Sequence, residues 1–196
     1  DLYRRDADCS GSDRVFHQSE VPYKNAVDWS PDGKWIVVQE IGDESGWNIS
    51  LLPAGGGPPT PYLATPFNEQ FGFISPDGRW CLYISDESGT PQAYVQSFPE
   101  PGRKQQVSRT GAFVAFWMSG GREICVRRTD FSLAAIAVEP GPVLKIGPSR
   151  ELFRAPHNTR NIEPHPSGQR FLHVVAARQT TPGISVAVNW RARKKE

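Results

Sequence analysis

The tetrapeptide Ser-Pro-Asp-Gly occurs twice, at residues 30–33 and 75–78, each time followed by a basic residue, a tryptophan and an apolar run. The two copies read WSPDGKWIVV (29–38) and ISPDGRWCLY (74–83), and two degenerate copies follow, WMSGGREICV (117–126) and PHPSGQRFLHVV (164–175). Their aligned glycines are Gly33, Gly78, Gly121 and Gly168, at intervals of 45, 43 and 47 residues. A repeat of that length, holding several short strands, is the mark of a β-propeller blade. Proline sets φ near about −65° at the second position of a turn, glycine accepts positive φ, and aspartate bonds nearby backbone amides. Trp35 and Trp80 follow on a strand, where large aromatics fill the wedge between neighbouring blades. These residues are therefore expected to shape hairpins, without a direct catalytic role.

A second similarity falls elsewhere in the repeat: GDESGWNISLLP (42–53) matches SDESGTPQAYVQSFP (85–99). Apolar and β-branched runs bounded by Gly, Pro, Asp and Ser then predict seventeen strands. The chain divides into the end of a preceding blade (1–24), blades at 25–65, 66–110 and 111–156, a final blade at 157–190 and a basic tail at 191–196. The expected fold class is all-β: a propeller of about four four-stranded blades plus a partial N-terminal blade, as a fragment of a larger ring. The 18 glycines, 18 prolines and single methionine suit many strands joined by tight turns.

Residues 1–100 carry 6 Lys/Arg against 15 Asp/Glu, and residues 101–196 carry 16 against 6. The basic residues are scattered over successive strands and turns, which favours attraction between adjoining blades over a nucleic-acid face. No recognition helix or RNA-binding aromatic motif is present, and the repeat assigns Phe113, Phe116 and Trp117 to a strand facing the interior. No run of 18 apolar residues spans a membrane, and residues 1–13 lack the apolar core of a signal peptide. Cys9, Cys81 and Cys125 are too few and too far apart for a disulfide framework, and Cys81 and Cys125 read as small buried hydrophobes.

The nearest approach to a nucleophile elbow, Gly183-Ile184-Ser185-Val186-Ala187, lacks the second glycine and lies on a predicted strand. Asp6-Ala7-Asp8-Cys9-Ser10-Gly11 opens like a calcium loop, but His17 stands where the bidentate glutamate is needed. The acidic pairs Asp43-Glu44 and Asp86-Glu87 recur with the repeat and read as turn residues. His17, His157, His165 and His173 are dispersed without zinc-ligand spacing, and His165 occupies a turn position. No catalytic, cofactor-binding or metal-binding residue is assigned, and no cofactor is expected.

The W/F-S-P-D-G-R/K-W pattern resembles the TolB-type, WD40-like propeller repeats, which also occur in prolyl-oligopeptidase-like peptidases. Over nearly all of the chain, a closer resemblance is to the C-terminal propeller of bacterial Hanks-type serine/threonine protein kinases. Residues 65–108 carry the run S-P-D-G-R-W, D-E-S-G and Y-V-Q-S-F-P-E-P-G-R-K-Q-Q-V-S. The last strand, with Val186, Val188, Asn189 and Trp190, resembles the family's valine-rich C-terminal ending. The third and fourth turns depart from the pattern by losing the aspartate, so those hairpins are expected to be less well pinned. The kinase motifs themselves (Gly-rich loop, Val-Ala-Ile-Lys, His-Arg-Asp, Asp-Phe-Gly) do not occur.

What the resemblance implies is a non-catalytic sensing or interaction domain that binds a protein or small ligand; the missing nucleic-acid motifs predict no nucleic-acid partner. Binding is expected at the loops of one rim or at the central channel. The turns between second and third strands, 42–47, 87–92 and 129–132, are the candidate contact positions. The alternatives are the substrate-filtering propeller of a prolyl-oligopeptidase-like hydrolase and a scaffold that self-associates through open blade edges.

Overall fold

A computed structural model describes residues 1–5, 8, 11–21, 23–42 and 46–176, together with the backbone of 184–188. Strands β1 (Leu2–Arg4) and β2 (Arg14–His17) form a two-stranded sheet. Four-stranded sheets follow: β3 (Lys24–Trp29), β4 (Trp35–Gly42), β5 (Gly46–Pro53) and β6 (Thr60–Leu63), then β7 (Glu69–Ile74), β8 (Trp80–Ser85), β9 (Gln92–Ser97) and β10 (Lys104–Gln106). The next comprises β11 (Val114–Met118), β12 (Glu123–Arg127), β13 (Ser132–Glu139) and β14 (Lys145–Arg154). A three-stranded sheet of β15 (Thr159–Pro164), β16 (Arg170–Val175) and β17 (Ile184–Val188) ends the described structure. Each sheet is an antiparallel meander, and the first strands β3, β7, β11 and β15 lie side by side. The sheets are therefore propeller blades, numbered one to four here from the sheet that starts with β3, and the first strand of each lines the axis. No described helix is long and apolar enough to cross a membrane.

The repeated tetrapeptide makes the same network twice. Ser30 Oγ donates to Asp32 Oδ1 at 2.6 Å and accepts from the Trp35 amide at 2.9 Å. Ser75 Oγ donates to Asp77 Oδ1 at 2.5 Å and accepts from the Trp80 amide at 3.0 Å. Gly33 and Gly78 both sit at φ +71°, where a side chain would strain the turn. The turns that lack the aspartate are held by other bonds. In blade four, His165 Nδ1 meets Ser167 Oγ at 2.8 Å and accepts from the Ser167 amide at 3.2 Å. In blade three, Ser119 lies in a short 3₁₀ turn, takes a 2.9 Å bond from its amide to the Pro166 carbonyl of blade four, and donates to Glu123. The expected loosening is thus offset by local substitutes and, at Ser119, by a bond between blades.

Each seam between blades has its own apolar cluster. Ile36, Val38 and Leu52 of blade one meet Leu2 and Phe16 of the leading sheet. Between blades one and two lie Val37, Ile49, Tyr62, Tyr83 and Tyr94, with Trp35 against them. Between two and three lie Trp80, Leu82, Ile124, Ile136 and Val138. Met118, Cys125, Leu133, Ile162 and Phe171 fill the seam between three and four. Cys81 and Cys125 are free and buried, and burial pushes both thiols up, Cys125 to about 12. Asp86 of the second acidic pair accepts from the Asn68 amide and side chain at 2.9 and 2.8 Å, which ties the β8–β9 turn to the loop before β7; Asp43-Glu44 lies outside the described residues.

The structure corrects one expectation about the interior. Phe113 is not a core residue: it is 48% exposed and precedes β11. Its ring covers the buried Arg127 guanidinium at 4.6 Å, with Phe131 on the same group at 5.0 Å, a cation–π stack at the blade edge. Strand β14 runs ten residues, Lys145–Arg154, straight through Gly147 and Pro148.

Blade contact is close enough that a single methyl is felt. A Cβ at Gly72, on β7, would lie 2.9 Å from Val37 Cγ1 and 3.1 Å from Ile49 Cδ1 of blade one. Both neighbours are fully buried, in an interior of the close-packed kind where side chains yield little. Gly72→Ala is expected to destabilise the protein by about 1–3 kcal/mol through overpacking, measured by chemical denaturation.

Candidate binding site

The four hairpins leave the ends of β3, β7, β11 and β15, so their turns crowd one end of the axis. A cavity of about 620 Å³ opens there, within the range of small-molecule and peptide sites. One repeat position supplies its wall. Five residues before the turn glycine stand Asp28, Phe73, Phe116 and Glu163, one from each blade, and all four line the cavity. The wall thus runs acid, aromatic, aromatic, acid.

The aromatic side is firmly placed. The Phe73 and Phe116 rings lie 5.3 Å apart, and the Trp117 indole N–H donates to the Phe73 carbonyl at 3.0 Å. Asp28 ties two blades together: Oδ2 accepts from the Ile74 amide at 2.7 Å and Oδ1 from the Trp29 amide at 2.8 Å. Burial raises the Asp28 carboxyl above the ordinary aspartate value, and those two amides oppose the shift. Glu163, on the exposed side of β15, accepts from Asn161 Nδ2 at 3.3 Å. Two carboxylates beside three aromatic rings suit a ligand that pairs a positive charge with apolar or aromatic surface.

The candidate turns 42–47, 87–92 and 129–132 join second to third strands, at the opposite end of the blades from this cavity. Residues 43–45 lie outside the described structure; Glu87 pairs with Lys104 at 2.7 Å, and Asp130 with Arg154 at 2.8 Å. They are therefore not brought together with the axial wall. Asp28 and Glu163 were missed because neither belongs to the tetrapeptide. Aligning the four copies on their glycines and reading outward would have found them. Among the described residues no cluster of three or more His, Cys, Asp or Glu could hold a metal ion.

No family model matches the chain, and no curated protein matches its sequence. Solved structures do resemble it. TolB from Acinetobacter baumannii superposes with a TM-score of 0.68 at 16% identity, over 95% of this chain and 45% of TolB. A structure named as a TolB from Agrobacterium tumefaciens gives 0.58 at 18%, over 74% of this chain and 54% of that one. A structure from a study of two prolyl endopeptidases gives 0.56 at 12%, over 90% of this chain and 26% of the peptidase. At these identities the likeness establishes the fold, a TolB-like β-propeller. The chain spans about half the length of the two TolB structures, 45% and 54%.

Proposed function

We propose that this propeller is a non-catalytic binding module that takes a cationic, aromatic- or proline-bearing segment at its axial cavity. The observation that carries this reading is the ring of Asp28, Phe73, Phe116 and Glu163 contributed by one repeat position. Calorimetric titration with a short peptide containing Lys-Phe-Pro, and with its Glu-Phe-Pro counterpart, tests it. The basic peptide binds, the acidic one does not, and Glu163→Gln weakens the basic peptide about tenfold, a change of about 1.4 kcal/mol. Equal affinity for the two peptides would remove the charge argument and the proposal with it.

On the same reading the module is the sensing or interaction domain of a bacterial serine/threonine kinase, supported by the sequence resemblance over residues 65–108. The reading frame on the 5′ side of the Asp1 codon tests this second level. A kinase catalytic region there supports it; an α/β-hydrolase region in the same frame would transfer the propeller to the substrate-filtering role.

A further inference from the structure

We propose that the seam between blades two and three holds a second binding site, for a small organic anion: a carboxylate with an apolar body. A cavity of about 470 Å³ lies there, between the outer strand β10 and the face of β12, β13 and β14. Its volume falls within the roughly 300–1,000 Å³ of ligand pockets.

The cavity has a traceable origin. In blade two, the cross-strand pair Tyr83–Tyr94 faces blade one, with rings stacked 5.8 Å apart, and fills that seam. Val126 holds the place of Tyr83 in blade three, five residues after the turn glycine; its cross-strand partner is Ala134, and the pair faces blade two. A valine and an alanine thus stand where blade two carries two stacked tyrosines, and both line the cavity. The register of β13 with β14 also shifts between Ile136 and Val138, which carries Gly147 and Ser149 past the cavity wall. Such bulges commonly re-aim side chains beside binding sites.

The lining pairs an apolar floor with a basic mouth. Val107, Val126 and Ile136 form the floor, each almost fully buried. Arg109 and Arg128 stand at the mouth. Arg128 Nη1 donates to Ser132 Oγ at 3.2 Å and lies 4.0 Å from the exposed Glu151 carboxylate, a long contact that leaves much of the guanidinium open. Arg109 has no ion pair among the described residues. The hydroxyls of Thr110 and Ser149 add donors on the same wall. A carboxylate held by the two guanidiniums would place its chain on the aliphatic floor. This site shares no residue with the axial cavity and does not depend on what binds there.

Isothermal titration with octanoate, octan-1-ol and butanoate tests the proposal on the whole chain. Octanoate saturates one site; octan-1-ol, with the chain but no charge, and butanoate, with the charge but a short chain, each bind at least about tenfold more weakly. Arg109→Gln, a surface change, weakens octanoate severalfold, and Ala134→Phe closes the cavity and removes binding. Glu163→Gln, at the axis, leaves octanoate unaffected. Equal affinity for octanoate and octan-1-ol, no saturable octanoate binding, or unchanged binding in Arg109→Gln would each overturn it. Should Ala134→Phe fail to fold, the Arg109→Gln and octan-1-ol arms still decide.

Discussion

Trp80→Ala lowers stability by about 3–5 kcal/mol, the range for deleting a fully buried aromatic. Trp80 is 2% exposed and packs with Ile124, Ile136 and Val138 of the next blade. Its indole N–H also donates to the Gly141 carbonyl at 3.2 Å, so the deletion opens a void and removes a polar tie across the same seam. The equivalent Trp35 is only partly buried, and Trp35→Ala is expected to cost about half as much, in proportion to the apolar area it hides. Guanidinium denaturation of both variants measures the difference. A Trp80→Ala loss within the roughly 0.5 kcal/mol of an ordinary surface change would mean the seam does not contribute as described.

Tyr83→Ala costs about 3–5 kcal/mol as well, but at the other face of the same blade. Tyr83 is 1% exposed, stacks on Tyr94, and donates its hydroxyl to Gln96 Oε1 at 3.3 Å. Tyr83→Phe separates the two contributions: it keeps the stack, drops the long hydroxyl bond, and is expected to cost about 1 kcal/mol or less. If Phe and Ala are equally damaging, the hydroxyl bond and not ring packing dominates the seam between blades one and two. Because Trp80 and Tyr83 lie in separate clusters, the double variant should show nearly additive losses.

Turns and strands were legible in the sequence because Gly, Pro, Asp and Ser punctuate apolar runs at a fixed period. The Ser-Pro-Asp-Gly turns adopt the geometry their residues demand. Strand β14 is less legible: Gly147 and Pro148 have the composition of a loop, yet proline is tolerated on the outer edge of a sheet, where no ladder bond is lost. Phe113 misled for the opposite reason: an aromatic next to a strand looks like core, while here it shields a charged group. The axial wall was latent in the alignment, one column with Asp28, Phe73, Phe116 and Glu163. The seam cavity was not, because it depends on Val126 and Ala134 being cross-strand partners, and pairing register cannot be read from one strand alone.

Every sheet joins strands that follow one another in the chain, and no strand crosses over to a distant partner among the described residues. Contacts of short sequence separation close through small loops, so strand pairing can nucleate in any blade and spread to its neighbour. A chain emerging from the ribosome can settle its first blade before the codons of its fourth have been read. The same modularity lets a duplicated blade drift at single columns, tyrosine to valine or aspartate to phenylalanine, without disturbing the folding of the blades beside it.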